Sequence, residues 1–291
     1  MAILFTKRRT ITMVHGKHLL WRKLEFIFIT VFVCALSFFP VVWIGLSSIK
    51  LPNQLYVFPI SWIPKPPTLQ HYISVFTTQP FGNQMLNSSW VSSWSTVLTV
   101  FMASLAGYVL SRLRFRGREV ILVFILASGM IPVLARLIPL FSTMRKLGLL
   151  NSWLGLVLVY SSLALPLGTM TMMAYFSQIP KDLEQAAAID GCSRLGALWQ
   201  IIVPLAAPGM VTAALLSFIV AWNDFIIAVV LISNPRMYTI PVGISLFPGE
   251  FDFPWGTISA AVIVAVIPIV ITILFFQKRI VAGLTQGAVK G

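Results

Sequence analysis

Charge is what this chain has least of. Only 10% of its 291 residues are Asp, Glu, Lys or Arg and 58% are hydrophobic, whereas charged residues make up about a quarter of an ordinary soluble domain. That balance excludes a soluble domain and makes the chain an integral membrane protein. Acidic residues are scarcer still, eight against 21 basic ones, for a net charge of +13. The surplus does not form a nucleic-acid patch, because the basic residues fall mostly between apolar segments, where they set orientation in a bilayer. Two cysteines, Cys34 and Cys192, are too few for a disulfide framework and lack metal-ligand spacing. His15, His18 and His71 are scattered, so no metal site is legible. No Gly-x-x-x-x-Gly-Lys-Ser/Thr phosphate loop occurs, which excludes ATP binding by that route. Nor is there a legible nucleophile, base and oxyanion arrangement, so no catalytic residue is nominated.

What the chain does have is long apolar runs. A spanning helix needs about 20 mainly apolar residues, and six segments qualify: Leu24–Ile49, Met85–Leu110, Val120–Phe141, Trp153–Phe176, Met210–Ile232 and Thr257–Phe276. The expected fold is all-α and polytopic, a six-helix membrane domain over 24–277 between an amino-terminal leader (1–23) and a tail (278–291). The first run is longer than the roughly 7–15 apolar residues of a signal peptide, so an uncleaved anchor is expected. The second carries Ser88, Ser92, Ser95 and Thr99 on one face and Ser89, Ser93 and Thr96 on the next. Small hydroxyl residues let helices approach closely, and they also suit a wet path. Pro132, Arg136 and Pro139 interrupt the third segment, whose outer end should bend or leave the membrane early.

Orientation follows from the Lys and Arg between segments. The leader, 111–119, 178–208 and the tail hold fifteen, and the opposite connections (50–84, 142–152 and 233–256) together with Arg136 at the outer end of the third segment hold six. The richer side is cytoplasmic. Both termini and the stretch 178–208 therefore face the cytoplasm. That stretch reads as two short helices joined at a glycine. Asp182 and Glu184 suit the first turn of a helix ending at Asp190, Gly191 stops it, and Ser193 caps a second helix closed by Pro204 and Pro208. It is either an amphipathic loop on the bilayer surface or a small-residue knob offered to a partner.

Asp224 is the exception in a nearly charge-free interior. A mid-bilayer acid costs roughly 2.5–3.5 kcal/mol on insertion scales, so it needs a partner or water. It is suited to bonding a polyhydroxylated solute, to carrying a proton, or to tying the fifth segment to a neighbour. Trp222 and Asn223 stand beside it as candidates for a translocation path. Outside, 51–82 fits a cap with interfacial aromatic residues, and 234–256 fits either a connecting loop or a surface for an external partner.

Three stretches carry a resemblance. Glu184-Gln-Ala-Ala-Ala-Ile-Asp-Gly191, followed by Pro204, resembles the cytoplasmic "EAA" loop of permease subunits of bacterial ATP-binding-cassette importers. The motif's glutamate position carries Gln185, with Glu184 one residue earlier. Trp222-Asn-Asp-Phe225 and the tail Gly283-Leu-Thr-Gln-Gly-Ala-Val-Lys-Gly291 are similar to the carbohydrate permeases of the maltose-importer type. The resemblance covers nearly the whole chain and implies a bacterial inner-membrane subunit that imports an oligosaccharide, disaccharide or polyol by alternating access. It implies a second, related permease, an external solute-binding protein, and two cytosolic subunits that bind ATP and Mg in place of this chain. It further implies that Leu183, Glu184, Gln185, Ala186, Ala187, Asp190 and Gly191 dock the ATPase, and that Gly249, Glu250 and Phe251 meet the binding protein. The readings from other classes are an ion-coupled transporter using Asp224 and a membrane scaffold with no solute.

Overall fold

The computed structural model describes residues 2–247 and 253–286, with side chains over 22–247 and 253–277. Among the described residues the chain is all helix and connection. In order these are α1 (Ala2–Ser47), α2 (Pro52–Leu55), α3 (Gln70–Thr78), α4 (Phe81–Arg112), α5 (Arg118–Met130), α6 (Val133–Lys146), α7 (Trp153–Gln178), α8 (Asp182–Ile189), α9 (Arg194–Ala197), α10 (Val203–Leu205), α11 (Ala207–Asn223), α12 (Ile226–Leu231), α13 (Ile240–Ser245) and α14 (Trp255–Gln286). A π turn, Leu198–Ile202, joins α9 to α10, and a 3-10 turn, Pro235–Met237, precedes α13.

Among the described residues four helices are long and apolar enough to cross a membrane: Arg22–Ser47, α4, α7 and Trp255–Gln277. The count reaches six when each of two bent pairs is one span. One bent pair is the third segment, expected to bend: α5 and α6 meet at 101°. The cause is Pro132, which has no N–H for the carbonyl of Ser128 four residues earlier. Arg136 Nη1 donates to that carbonyl instead, at 3.2 Å, so this arginine mends the break that the proline opens. The expected fifth segment, 210–232, is likewise two helices, because Asp224 takes an extended conformation between α11 and α12. The connection after the third segment shortens to 147–152, since α6 continues to Lys146.

Two compact units are distinguished. The first comprises Met1–Tyr72 and Trp255–Ile263. In it the apolar side chains of α1 over 24–42 are exposed. Beyond α1, Lys50 is buried with its ammonium 4.3 Å from the Trp43 ring centre, and Trp43 meets Trp62 edge to face at 5.5 Å. Burial pushes the Lys50 ammonium below the ordinary lysine range, and the ring face offsets part of that cost. His71 Nε2 lies 2.8 Å from the Lys50 carbonyl, and the Thr68 N–H donates to Ile49 O at 2.8 Å. The first part of the expected cap is thus a folded return of the chain onto the end of α1.

The second unit comprises Ile73–Pro254 and Val264–Gly291. Here α4 packs along α7, and α11 packs on both. Ser88, Ser92, Ser95 and Thr99 are all buried. Ser95 and Thr99 turn their hydroxyls back to Val91 O and Ser95 O, both at 2.7 Å, and Ser161 of α7 donates across to Ser95 O at 3.1 Å. That face serves packing. The approach is tightest at Gly107, where an added Cβ would stand 2.9 Å from both Met173 N and Met172 Cβ. Backbone cannot yield there. Gly107→Leu is therefore expected to force α4 from α7 and cost about 1–3 kcal/mol, read as a lower melting midpoint in detergent. Gly45→Leu, with nothing within 4 Å of its Cβ, should leave the midpoint unchanged.

Candidate functional site

The stretch 178–208 folds as a two-limbed knob between α7 and α11. Its first limb, α8, opens with Asp182 and Glu184 in the first turn and ends in a Schellman motif. Gly191 adopts φ +81°, its N–H donates to Ala188 O at 3.1 Å, and the Cys192 N–H donates to Ala187 O at 2.9 Å. Only a residue at ease with positive φ closes a helix this way. The second limb starts where Ser193 Oγ accepts the Gly196 N–H at 3.1 Å, the cap expected from sequence. It runs through α9, the π turn and α10, then bends by 81° into α11.

The sequence-nominated docking residues do not share one surface. Leu183, Gln185, Ala186, Asp190 and Gly191 are exposed. Ala187 is buried under the turn, and Glu184 points inward, its Oε1 2.8 Å from Arg112 Nε at the end of α4. Tyr108, one turn earlier on α4, donates to Glu184 Oε2 at 3.1 Å. Glu184 and Ala187 thus leave the expected docking surface. Two residues that the sequence reading omitted join it: Ile189, 86% exposed, and Leu195, also exposed. With Leu183 they place uncovered large apolar side chains on both limbs, and Trp199 and Leu205 are exposed further along the second.

The intramembrane trio also separates. Trp222 is buried, its Nε1 donating to Ala265 O of α14 at 3.3 Å and its ring 5.3 Å from that of Phe218. Asp224 Oδ2 accepts from Tyr160 Oη of α7 at 2.9 Å and from the N–H groups of Ile227 and Ala228 at 3.0 and 3.2 Å. It both ties the break to α7 and satisfies the first turn of α12. Asn223 alone is exposed, with Nδ2 donating to Ile219 O at 3.0 Å. Asp224→Ala should cost about 2–4 kcal/mol, a lost cap plus a stranded buried hydroxyl. Tyr160→Phe should cost less, and the double variant less than the sum, measured as melting midpoints of the four proteins. An apolar groove of about 760 Å³, lined by Trp90, Trp94, Phe101 and Trp153 among other residues, contains none of the trio. Among the described residues no three His, Cys, Asp or Glu side chains are grouped to hold a metal.

The model of the family described as "Binding-protein-dependent transport system inner membrane component" matches residues 95–286, which include the knob and the Asp224 break. The chain belongs to this family. As a permease it is 47% identical to the sulfoquinovosyl glycerol transport system permease protein of Agrobacterium fabrum, over 87% of this chain and 89% of that protein. It is 41% identical to the trehalose transport system permease protein of Mycobacterium tuberculosis, over 89% and 94% of the two chains. Identity to the trehalose/maltose transport system permease protein of Thermococcus litoralis is 39%, over 90% and 94%. The fold matches the crystal structure of a bacterial ABC transporter involved in the import of the acidic polysaccharide alginate, with a TM-score of 0.78, 23% identity, and 89% and 96% coverage.

Within the permease, the last connection is fastened to the top of α4. Asn87 Nδ2 donates to Arg236 O and Tyr238 O at 2.9 and 3.0 Å, and Ser88 Oγ accepts the Ile240 N–H at 2.8 Å. Gly249, Glu250 and Phe251, nominated to meet a binding protein, lie outside the described residues.

Proposed function

We propose that this permease is one membrane subunit of an ATP-driven importer, paired with a second related permease, and that it moves a carbohydrate into the cytoplasm by alternating access. Two cytosolic subunits hold ATP and Mg, and an external solute-binding protein delivers the oligosaccharide, disaccharide or polyol. Both termini and the knob face the cytoplasm. The observation that carries this reading is the knob: two capped limbs, exposed apolar side chains that include Leu183, Ile189 and Leu195, and direct continuity into α7 and α11. Such a projection has no use for lipid and suits a groove in a moving partner. The relatives are named for sulfoquinovosyl glycerol, trehalose and maltose transport, which supports a sugar as solute. The ion-coupled alternative is disfavoured by Asp224, whose Oδ2 already has three donors.

The test is purification of the tagged permease from its native membrane, followed by reconstitution. A nucleotide-binding subunit and a second permease should co-purify, and labelled trehalose or maltose should accumulate only when the complex hydrolyses ATP and a binding protein is present. Uptake by the isolated chain under a pH gradient would select the ion-coupled reading instead.

A further inference from the structure

The knob is continuous in sequence with α7 and α11, and α4 is separated from it by α5, α6 and α7. Yet the end of α4 is held to the knob by a compact set of polar contacts. Arg112, the last residue of α4, has a side chain only 4% exposed, and that of Glu184 is 20% exposed. The guanidinium serves two elements: it forms an ion pair with Glu184 on α8, Nε standing 2.8 Å from Oε1, and its Nη2 donates to Ile179 O, the cap of α7, at 2.6 Å. The second oxygen of Glu184 takes the Tyr108 hydroxyl, and the Tyr108 ring meets Phe176 of α7 edge to face at 6.2 Å. Among the described residues this is the one carboxylate with a cationic partner. The second limb touches α4 as well, where Trp199 stacks on Phe101 with ring centres 5.8 Å apart.

A buried arginine that pairs its charge with a carboxylate in one element and donates to a carbonyl in the next fixes both in position, because its planar fork cannot serve two moving targets. Leaving either charge without the other in a dry site is unfavourable, so the contact behaves as made or broken rather than as a soft spring.

We infer that Arg112, with Tyr108, is a positioning residue that latches α4 to the coupling knob through Glu184, so that displacement of the knob moves α4 together with α7 and α11. This rests on the reading of the knob as the ATPase contact and adds a third helix to what the knob drives. Glu184 thereby acts within the chain, leaving Ile189, Leu183 and Leu195 to face the partner.

The experiment uses the purified complex with its nucleotide-binding subunits, in a chain with Cys34→Ser and Cys192→Ser. Two spin-label pairs report separately: Met102→Cys on α4 with Ile267→Cys on α14, and Met170→Cys on α7 with Ile267→Cys. In the otherwise unaltered chain, Mg and ATP should shift both distances. With Arg112→Ala or Glu184→Gln the α7 pair should keep its shift and the α4 pair should lose it, while ATP hydrolysis continues. Arg112→Lys, which keeps a cation beside Glu184, should retain part of the α4 shift that Arg112→Ala loses, an outcome a general packing defect would not give. Tyr108→Phe, which keeps the ring against Phe176, should reduce the α4 shift only. An α4 shift equal to that of the unaltered chain in Arg112→Ala, or equal loss from both pairs in every variant, would overturn the latch. Failure of the unaltered chain to retain any nucleotide-binding subunit would overturn the parent reading, and the latch with it.

Discussion

Gly191→Pro is expected to abolish solute uptake while the chain still inserts and its membrane helices still assemble. Gly191 holds φ +81° and donates its N–H to Ala188 O. Proline is locked near −65° and has no N–H, so the Schellman turn cannot form and the exit from α8 must take another course. Nothing else lies within 4 Å of a Cβ at this position, so the effect is one of backbone direction rather than of crowding. A graded series separates the two. Gly191→Asn, which tolerates the left-handed region, should keep most uptake. Gly191→Ala should lose part of it, at about 1–3 kcal/mol of local strain. Proline should leave none, with hydrolysis no longer tied to transport. The readouts are ATP-dependent uptake in vesicles, hydrolysis by the same preparation, and elution of the membrane complex as a single species. Full uptake by the proline variant would remove the knob from the mechanism.

Ile189→Asp is expected to release the nucleotide-binding subunit from the purified complex. Ile189 is the most exposed apolar side chain of the knob, 86% accessible, at the last position of α8 before the turn. An uncovered branched side chain at the tip of a projection is the type of group that anchors an interface. Replacing such an anchor costs about 2–4 kcal/mol, roughly a 30- to 1,000-fold loss of affinity. Gln185→Ala, on the same limb but polar and replaced by a smaller side chain, should change retention only slightly. Because Ile189 is so largely exposed, folding should be little affected. Retention of the subunit by Ile189→Asp at wild-type level would mean that the partner grips a different face.

Local features of this fold were legible in the sequence. Gly191 stops α8 and Ser193 caps α9 because turn chemistry acts over three or four residues and is written in adjacent letters. The six apolar stretches were legible for the same reason, as length and composition. What escaped the sequence was pairing at a distance. Arg112 read as one of four orientation charges, and nothing in 111–119 announces Glu184 some seventy residues on. Asp224 read as lying within a continuous helix, whereas a carboxylate that accepts two backbone N–H groups ahead of it makes a helix start, and α12 begins there. Arg136 looked like an anomaly inside an apolar run until the Ser128 carbonyl freed by Pro132 supplied its partner. The docking surface was half legible. Cap and stop residues located the knob but could not tell that Glu184 and Ala187 turn inward while Ile189 and Leu195 remain uncovered.

The most direct measurement is a site-specific cross-link from the tip of the knob. Ile189→Cys, in a chain with Cys34→Ser and Cys192→Ser and labelled with a photoreactive maleimide, should on illumination form an adduct with a nucleotide-binding subunit, in a yield that changes when Mg and ATP are added. The same probe at Trp62→Cys should form none. An adduct with that subunit from position 62 and none from 189 would contradict the account.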